Sequence, residues 1–258
     1  MRRALSAALL GLGLLCLGVL ALLSVTRRWP WPVLVPTELH ADQWRELFAS
    51  ESGVGGVVLR SIGMASSVAI LATAAGFVSS RGVARHPRRE GLFLVLHLPF
   101  AVSPVVLGVS LSYFFLRLNL AGHIVGVVLA QFILAYAYAV ILLSGFWNPQ
   151  VQALSGLAVT LGADRTQVWL RVLLPVARPL LMLCLLQTFL ISWFDYALTL
   201  FIGGGRVSTL TTALYQYFGS GDVRLAATCA LLLLAPPLAA IALHQRLLSA
   251  TVAARLEA

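Results

Sequence analysis

One carboxylate, Asp195, stands inside an apolar run of this 258-residue chain, flanked by Trp193, Phe194 and Tyr196. A charge in hydrocarbon is costly, so such a group faces a partner or a water-filled cavity. Ring faces attract positive charge, and a carboxylate with aromatic walls suits an organic cation. The competing reading is structural: an ion pair with Arg206 or Arg224, or a hydrated residue at a cavity mouth. Gln187, Thr188, Ser192 and Ser103 are further polar candidates along a substrate pathway, although a lone Ser in a helix often bonds its own backbone.

Covalent and metal chemistry find no such footing. There is no Lys, so the G-x-x-x-x-G-K-[ST] phosphate loop cannot be built, and any ATP hydrolysis must occur on another chain. Gly203-Gly204-Gly205 follows an apolar run and reads as a flexible outer hinge. Tyr215, Tyr217 and Asp222 belong to the same outer loop and are candidates for a gate. Cys16, Cys184 and Cys229 lie in apolar runs without ligand spacing, and the five histidines are scattered. No catalytic residue and no bound metal or cofactor is expected.

The elements that position these residues are membrane spans. The chain is 60% hydrophobic and 10% charged, with mean hydropathy +0.93. Soluble domains carry roughly 25% charged residues. Six apolar runs approach the length a spanning helix needs: Leu5–Val25, Ser61–Ser80, Gly91–Leu116, Ile124–Trp147, Leu180–Ile202 and Val223–Leu243. The first is too long for a cleaved signal and lacks a small-residue cleavage site, so it is expected to remain as an anchor helix. The net charge of +9 comes from Arg residues that flank apolar runs, which favours membrane topology over nucleic-acid binding. The densest cluster, Arg81 to Arg89, falls inside if the N-terminus is inside, and six spans then leave both termini cytoplasmic.

Three further segments carry expectations. Pro30–Pro36 is expected to be extended, followed by a short interfacial helix capped by Thr37 with Trp44, Leu47 and Phe48 on one face. This helix lies on the bilayer, receives a delivering protein, or does both. Ser61–Ser80 is rich in small residues and is expected to sit centrally in a bundle. Pro99 and Pro104 predict a kink in the third span.

Between the fourth and fifth runs lies a polar interruption. Asn148 can cap a helix with Pro149 at its first position. Val151, Leu154, Ala158 and Leu161 recur on one face, and Gly162 is placed to end the helix in a left-handed conformation. Asp164 and Gln167 form a capping-box pair for a second helix with Val168, Trp169, Val172 and Leu173 on one face, which Pro175 and Pro179 are expected to end. Two short helices at a sharp angle could act as a rigid lever in a partner's groove. The plain alternative is an amphipathic loop lying on the inner leaflet.

Gly162, nine intervening residues and Val172-Leu173-Leu174-Pro175 resemble the coupling loop of ABC importer permeases, E-A-A-x-x-x-G, nine residues, I-x-L-P. The leading triplet aligns with Gly156, Leu157 and Ala158, so the family's Glu is missing, and any contact it makes is lost. Residues 59–76, 99–108 and 189–204 resemble the family's second, third and fifth spans. The nearest flavour is the branch for spermidine/putrescine, ferric iron, thiamine and phosphonates.

The resemblance implies an all-α membrane protein: six transmembrane helices with a cytoplasmic two-helix coupling loop, the type I ABC importer (MetI-like) permease fold. Its permease core would cover 57–246, after an anchor and outer segment at 1–56 and before a cytoplasmic tail at 247–258. Gly156, Leu157, Ala158, Gly162, Asp164, Trp169, Val172, Leu174 and Pro175 would couple to an ATPase dimer, which binds ATP and Mg. A second permease, sister or self, and a periplasmic or lipid-anchored solute-binding protein would complete a transporter in a bacterial inner membrane. Asp195 with its aromatics favours a small cation such as a polyamine or thiamine, with ferric iron or phosphonate as alternatives. A stand-alone secondary transporter or membrane enzyme is the reading from a different class.

Overall fold

The computed structural model describes residues 2–26, 44 and 53–256, with side chains at 11–26, 44 and 53–240. The expected extended segment and interfacial helix at 30–48 lie outside the described residues, apart from Trp44. The described elements are helices: α1 Arg2–Val25, α2 Val54–Ala84, α3 Arg89–Ala101, α4 Pro104–Arg117, α5 Ile124–Ser144, α6 Pro149–Thr160, α7 Arg165–Gln167, α8 Leu174–Trp193, α9 Ala197–Gly203, α10 Leu210–Gly219 and α11 Val223–Leu256. A π-helical turn, Val168–Leu173, joins α7 to α8.

Four helical stretches among the described residues are long and apolar enough to cross a membrane: Val54–Ala84, Ile124–Ser144, Arg165–Trp193 and Val223–Ala240. Counting α3 and α4 together gives a fifth. The described apolar part of α1, Gly11–Val25, is shorter than a span. Among the residues with described side chains the count is four or five; six were expected, and α1 as a whole runs 24 residues, Arg2–Val25.

Two spans expected to be continuous are broken. The third bends by 98° between α3 and α4, far beyond a kink. Pro104 occupies the first turn of α4 and holds Ser103 extended (φ −57°, ψ 136°), while Val102 is extended as well (φ −97°, ψ 137°). The fifth ends at Trp193 and resumes as α9 only at Ala197, because Asp195 offers its carboxylate to the backbone N–H groups of Leu198 and Thr199 and starts a new helix there.

The chain divides into two compact units, residues 1–61 with 208–258, and residues 62–207. In the first, α1 and α10 pack on α11. Ser61 Oγ donates to the Val57 carbonyl and accepts from the Leu210 N–H, both at 2.8 Å.

In the second unit, α5 is the central element and packs against α3, α8 and α9. Its inward residues are small: Ala130, Ala135, Ala139 and Val140 are fully buried. Helices in lipid gain little from the hydrophobic effect, so close packing of small residues holds them together. Gly76 of α2 shows how close the approach is. A Cβ built there would lie 2.6 Å from the Cβ of Ala139. The expected central position of residues 61–80 holds for one face only: Ala65, Val68, Ala69 and Ala72 are buried, whereas Ile70, Leu71 and Val78 are exposed.

Candidate functional site

The interruption after α5 folds by local rules. Asn148 Oδ1 accepts from the Val151 N–H at 2.9 Å, and Pro149 opens α6 without losing a donor. Gly162 then takes φ +85°. Its N–H reaches the Val159 carbonyl, and the Ala163 N–H reaches the Ala158 carbonyl, each at 3.0 Å. This is a Schellman ending, and it satisfies the last carbonyls of α6. Asp164 Oδ1 accepts from the Gln167 N–H at 2.6 Å, and Gln167 Oε1 accepts from the Asp164 N–H at 3.3 Å, closing the capping box.

The second helix does not stop at Pro175 or Pro179. It runs through the π-helical turn into α8, so the interruption is one short helix followed by the foot of a long one, not two short helices. The Leu174 N–H bonds to the Trp169 carbonyl, five residues back. That wider register sets Pro175 in the first turn of the resumed α-helix, where its missing N–H costs little.

The apolar stripe of α6 also divides. Val151 is buried and Ala158 packs against the core, but Leu154, Leu157, Val159 and Leu161 are exposed, Leu161 at 88%. Gly156 faces open space. Gly162, Asp164, Leu174 and Pro175 are exposed, and Val172 is half-buried. The tip of the loop therefore presents apolar side chains outward.

On its inner side the loop is fixed by a group of aromatics that spacing alone did not bring together. The Trp169 ring meets Phe77 edge-on at 5.4 Å and Trp147 at 5.7 Å, and Phe77 stacks on Trp147 at 5.6 Å. The Trp147 Nε1–H donates to Ser80 Oγ at 2.8 Å. Val168 and Leu173 are buried in the same cluster.

The expected pathway residues do not form one lining. Asp195 is half-buried, and its Oδ2 accepts from Gln131 Nε2 (3.0 Å), the Thr199 N–H (2.9 Å) and Thr199 Oγ1 (2.9 Å), while Oδ1 accepts from the Leu198 N–H (3.3 Å). Trp193 is buried and stacks on Phe189 at 5.6 Å. Gln187 and Tyr196 are half-buried, and Ser103 stands exposed at the break between α3 and α4.

Sequence reasoning missed Gln131, a fully buried amide in the middle of α5. Besides Asp195 it donates to Thr199 Oγ1 at 3.0 Å, and it accepts from Ser192 Oγ at 2.6 Å. A lone Gln in an apolar run was the available signal. A second polar contact, Thr73 Oγ1 to Thr188 Oγ1 at 3.3 Å, joins α2 to α8.

No family model matches the chain. It is 30% identical over 169 residues to the molybdenum transport system permease protein ModB of Mycobacterium bovis, a match covering 60% of this chain and 64% of that protein. The protein of the same name from Mycobacterium tuberculosis matches with the same identity and coverage. The chain thus spans less than two thirds of the length of these relatives.

Proposed function

We propose that the chain is the permease subunit of an ABC importer, supplying half of a translocation pathway and coupling it to ATP hydrolysis on a partner. The observation that carries this reading is the loop at 148–175. It is rigidly capped at Asn148, Gly162 and Asp164, apolar at its exposed tip, and rooted without a break in the long apolar helix α8. A loop so built can seat its tip in a groove of a partner and pass a displacement to α8. The likeness to two proteins named as transport permeases, and the four or five helices among the described residues long and apolar enough to span a membrane, support the same reading.

In this reading the chain resides in a bacterial inner membrane, with the loop and both termini on the cytoplasmic side. Its partners are an ATPase dimer holding ATP and Mg, a second permease and an external solute-binding protein. Closure of the ATPase dimer moves the two coupling loops and opens the pathway outward, and hydrolysis returns it.

For cargo, the relatives' name points to molybdenum, which in neutral water is the oxyanion molybdate. That name alone sets molybdate before a polyamine or thiamine, and Asp195 is read as a structural group rather than a cargo ligand. Its oxygens accept from Gln131, Leu198 and Thr199, neutral donors that hold the carboxylate in place as part of the start of α9 and leave it its charge.

Uptake into vesicles reconstituted with an ATPase dimer and a solute-binding protein that the chain retains tests this. ATP-dependent molybdate accumulation, undiminished by excess spermidine or thiamine, is expected. Accumulation of spermidine or thiamine instead would return the cargo to the cation class. Uptake by the chain alone, without ATP, would make it a stand-alone transporter.

A further inference from the structure

The Arg81 guanidinium lies 5.3 Å from the ring centre of Trp169 and 5.5 Å from that of Trp147. Arg85 and Arg165 place like charge near it. Two indole faces, the strongest aromatic partners for a cation, hold it there against that repulsion. Each group belongs to a different element: Arg81 to the last turn of α2, Trp147 to the segment after α5, and Trp169 to the π-helical turn of the loop. Phe77, one turn before Arg81, touches both rings, and Ser80 holds the Trp147 indole.

We infer that Arg81 is a positioning residue that clamps the loop to α2, so that the two move as one body when the ATPase partner pulls on the loop. The consequence reaches deeper than the loop. Further up α2, Gly76 is seated on Ala139 of α5 and Thr73 meets Thr188 of α8. A displacement entering at Trp169 therefore has a second route into the helices, beside the direct one along α8. Without Arg81 the second route is left to the Phe77 ring contacts and the Ser80 bond to Trp147, a looser joint in which α2 lags behind. The inference rests on the importer reading.

The test uses spin labels at Val78→Cys on the exposed face of α2 and Thr166→Cys on α7, in a Cys16→Ser background, in the assembled transporter. With Arg81 present, the label distance is expected to be single and equal in the nucleotide-free and ATP-vanadate states. Arg81→Ala is expected to keep the ATPase bound yet show an ATP-dependent shift or a second distance. Trp169→Phe, which keeps an aromatic ring but weakens the cation contact, is expected to broaden the distribution in the same direction. Arg85→Ala, which removes a charge without touching a ring, is expected to leave it unchanged. Identical distances in Arg81→Ala and wild type overturn the clamp, as does a shift already present in wild type or an equal effect of Arg85→Ala. If the wild-type chain retains no ATPase, the importer reading itself fails, and the clamp fails with it.

Discussion

Ser192 Oγ donates to Gln131 Oε1 at 2.6 Å, so the last turn of α8 is tied to the middle of α5 by a bond buried from solvent. Gln131 turns its other end to Asp195 and Thr199, which makes one amide the junction of three elements. Removing it leaves the Ser192 hydroxyl without this acceptor and takes one donor from the Asp195 carboxylate. An unsatisfied buried polar group costs about 1–3 kcal/mol. Gln131→Leu is therefore expected to lower the thermal midpoint of the detergent-solubilised chain by several degrees. Labelling of the buried Cys184 on heating would report it.

Asp195 separates a structural carboxylate from a cargo ligand. If it serves to start α9, Asn can replace it, because an amide oxygen in the place of Oδ2 keeps the shorter bond, from the Thr199 N–H, and gives up only the longer one from Leu198. Asp195→Asn is expected to keep most of the uptake, while Asp195→Leu loses about 1–2 kcal/mol of stability as a cap is lost. Abolished uptake in Asp195→Asn with unchanged stability would restore the carboxylate as a ligand.

Gly156 and Gly162 are expected to respond oppositely to alanine. Gly156 lies inside α6 with open space where a Cβ would stand, so Gly156→Ala should stabilise the helix by about 0.5–1 kcal/mol. Gly162 sits at φ +85°, where an L side chain is strained, and Gly162→Ala should cost about 1 kcal/mol or more. Melting of the two variants in the same detergent checks both signs. The open space at 156 also means that Gly156→Glu, which restores the residue of the importer motif, should fold as well as wild type.

Gly126 at the start of α5 has no room for a side chain, since a Cβ would collide with the Leu120 carbonyl oxygen. Both atoms are backbone or backbone-fixed, so the strain cannot be relieved by a rotamer change. Gly126→Ala is expected to destabilise by about 1–3 kcal/mol. Gly63, which faces open space, should accept the same change without loss.

What was legible in the sequence was local. Asn148 with Pro149, Gly162, and Asp164 with Gln167 announce their caps because each depends on residues within a few positions. Pro175 misled for the same reason. Its usual effect presumes an α-helical register, and the π-helical turn before it, which begins and ends on the buried Val168 and Leu173, is not marked by spacing. Pro104 was recognised as a disturbance, but the 98° bend depends also on the extended Val102. Asp195 stood out by its charge, yet its partner Gln131 lies 64 positions earlier, and pairing across helices leaves no mark in one chain. Arg81 read as a topology signal. Its place between Trp147 and Trp169 follows from the fold alone.

The central claim is that the tip of the loop seats in an ATPase. Leu161, 88% exposed at the end of α6, is the residue to challenge, because a charge there should abolish the contact while leaving the caps at Asn148, Gly162 and Asp164 intact. Wild-type chain and Leu161→Glu would be purified from membranes, and retained proteins bearing a nucleotide-binding phosphate loop identified by mass spectrometry. Such an ATPase, held by wild type and lost from an equally stable Leu161→Glu, is the predicted result. Wild type without an ATPase, or Leu161→Glu holding it equally well, would contradict the account.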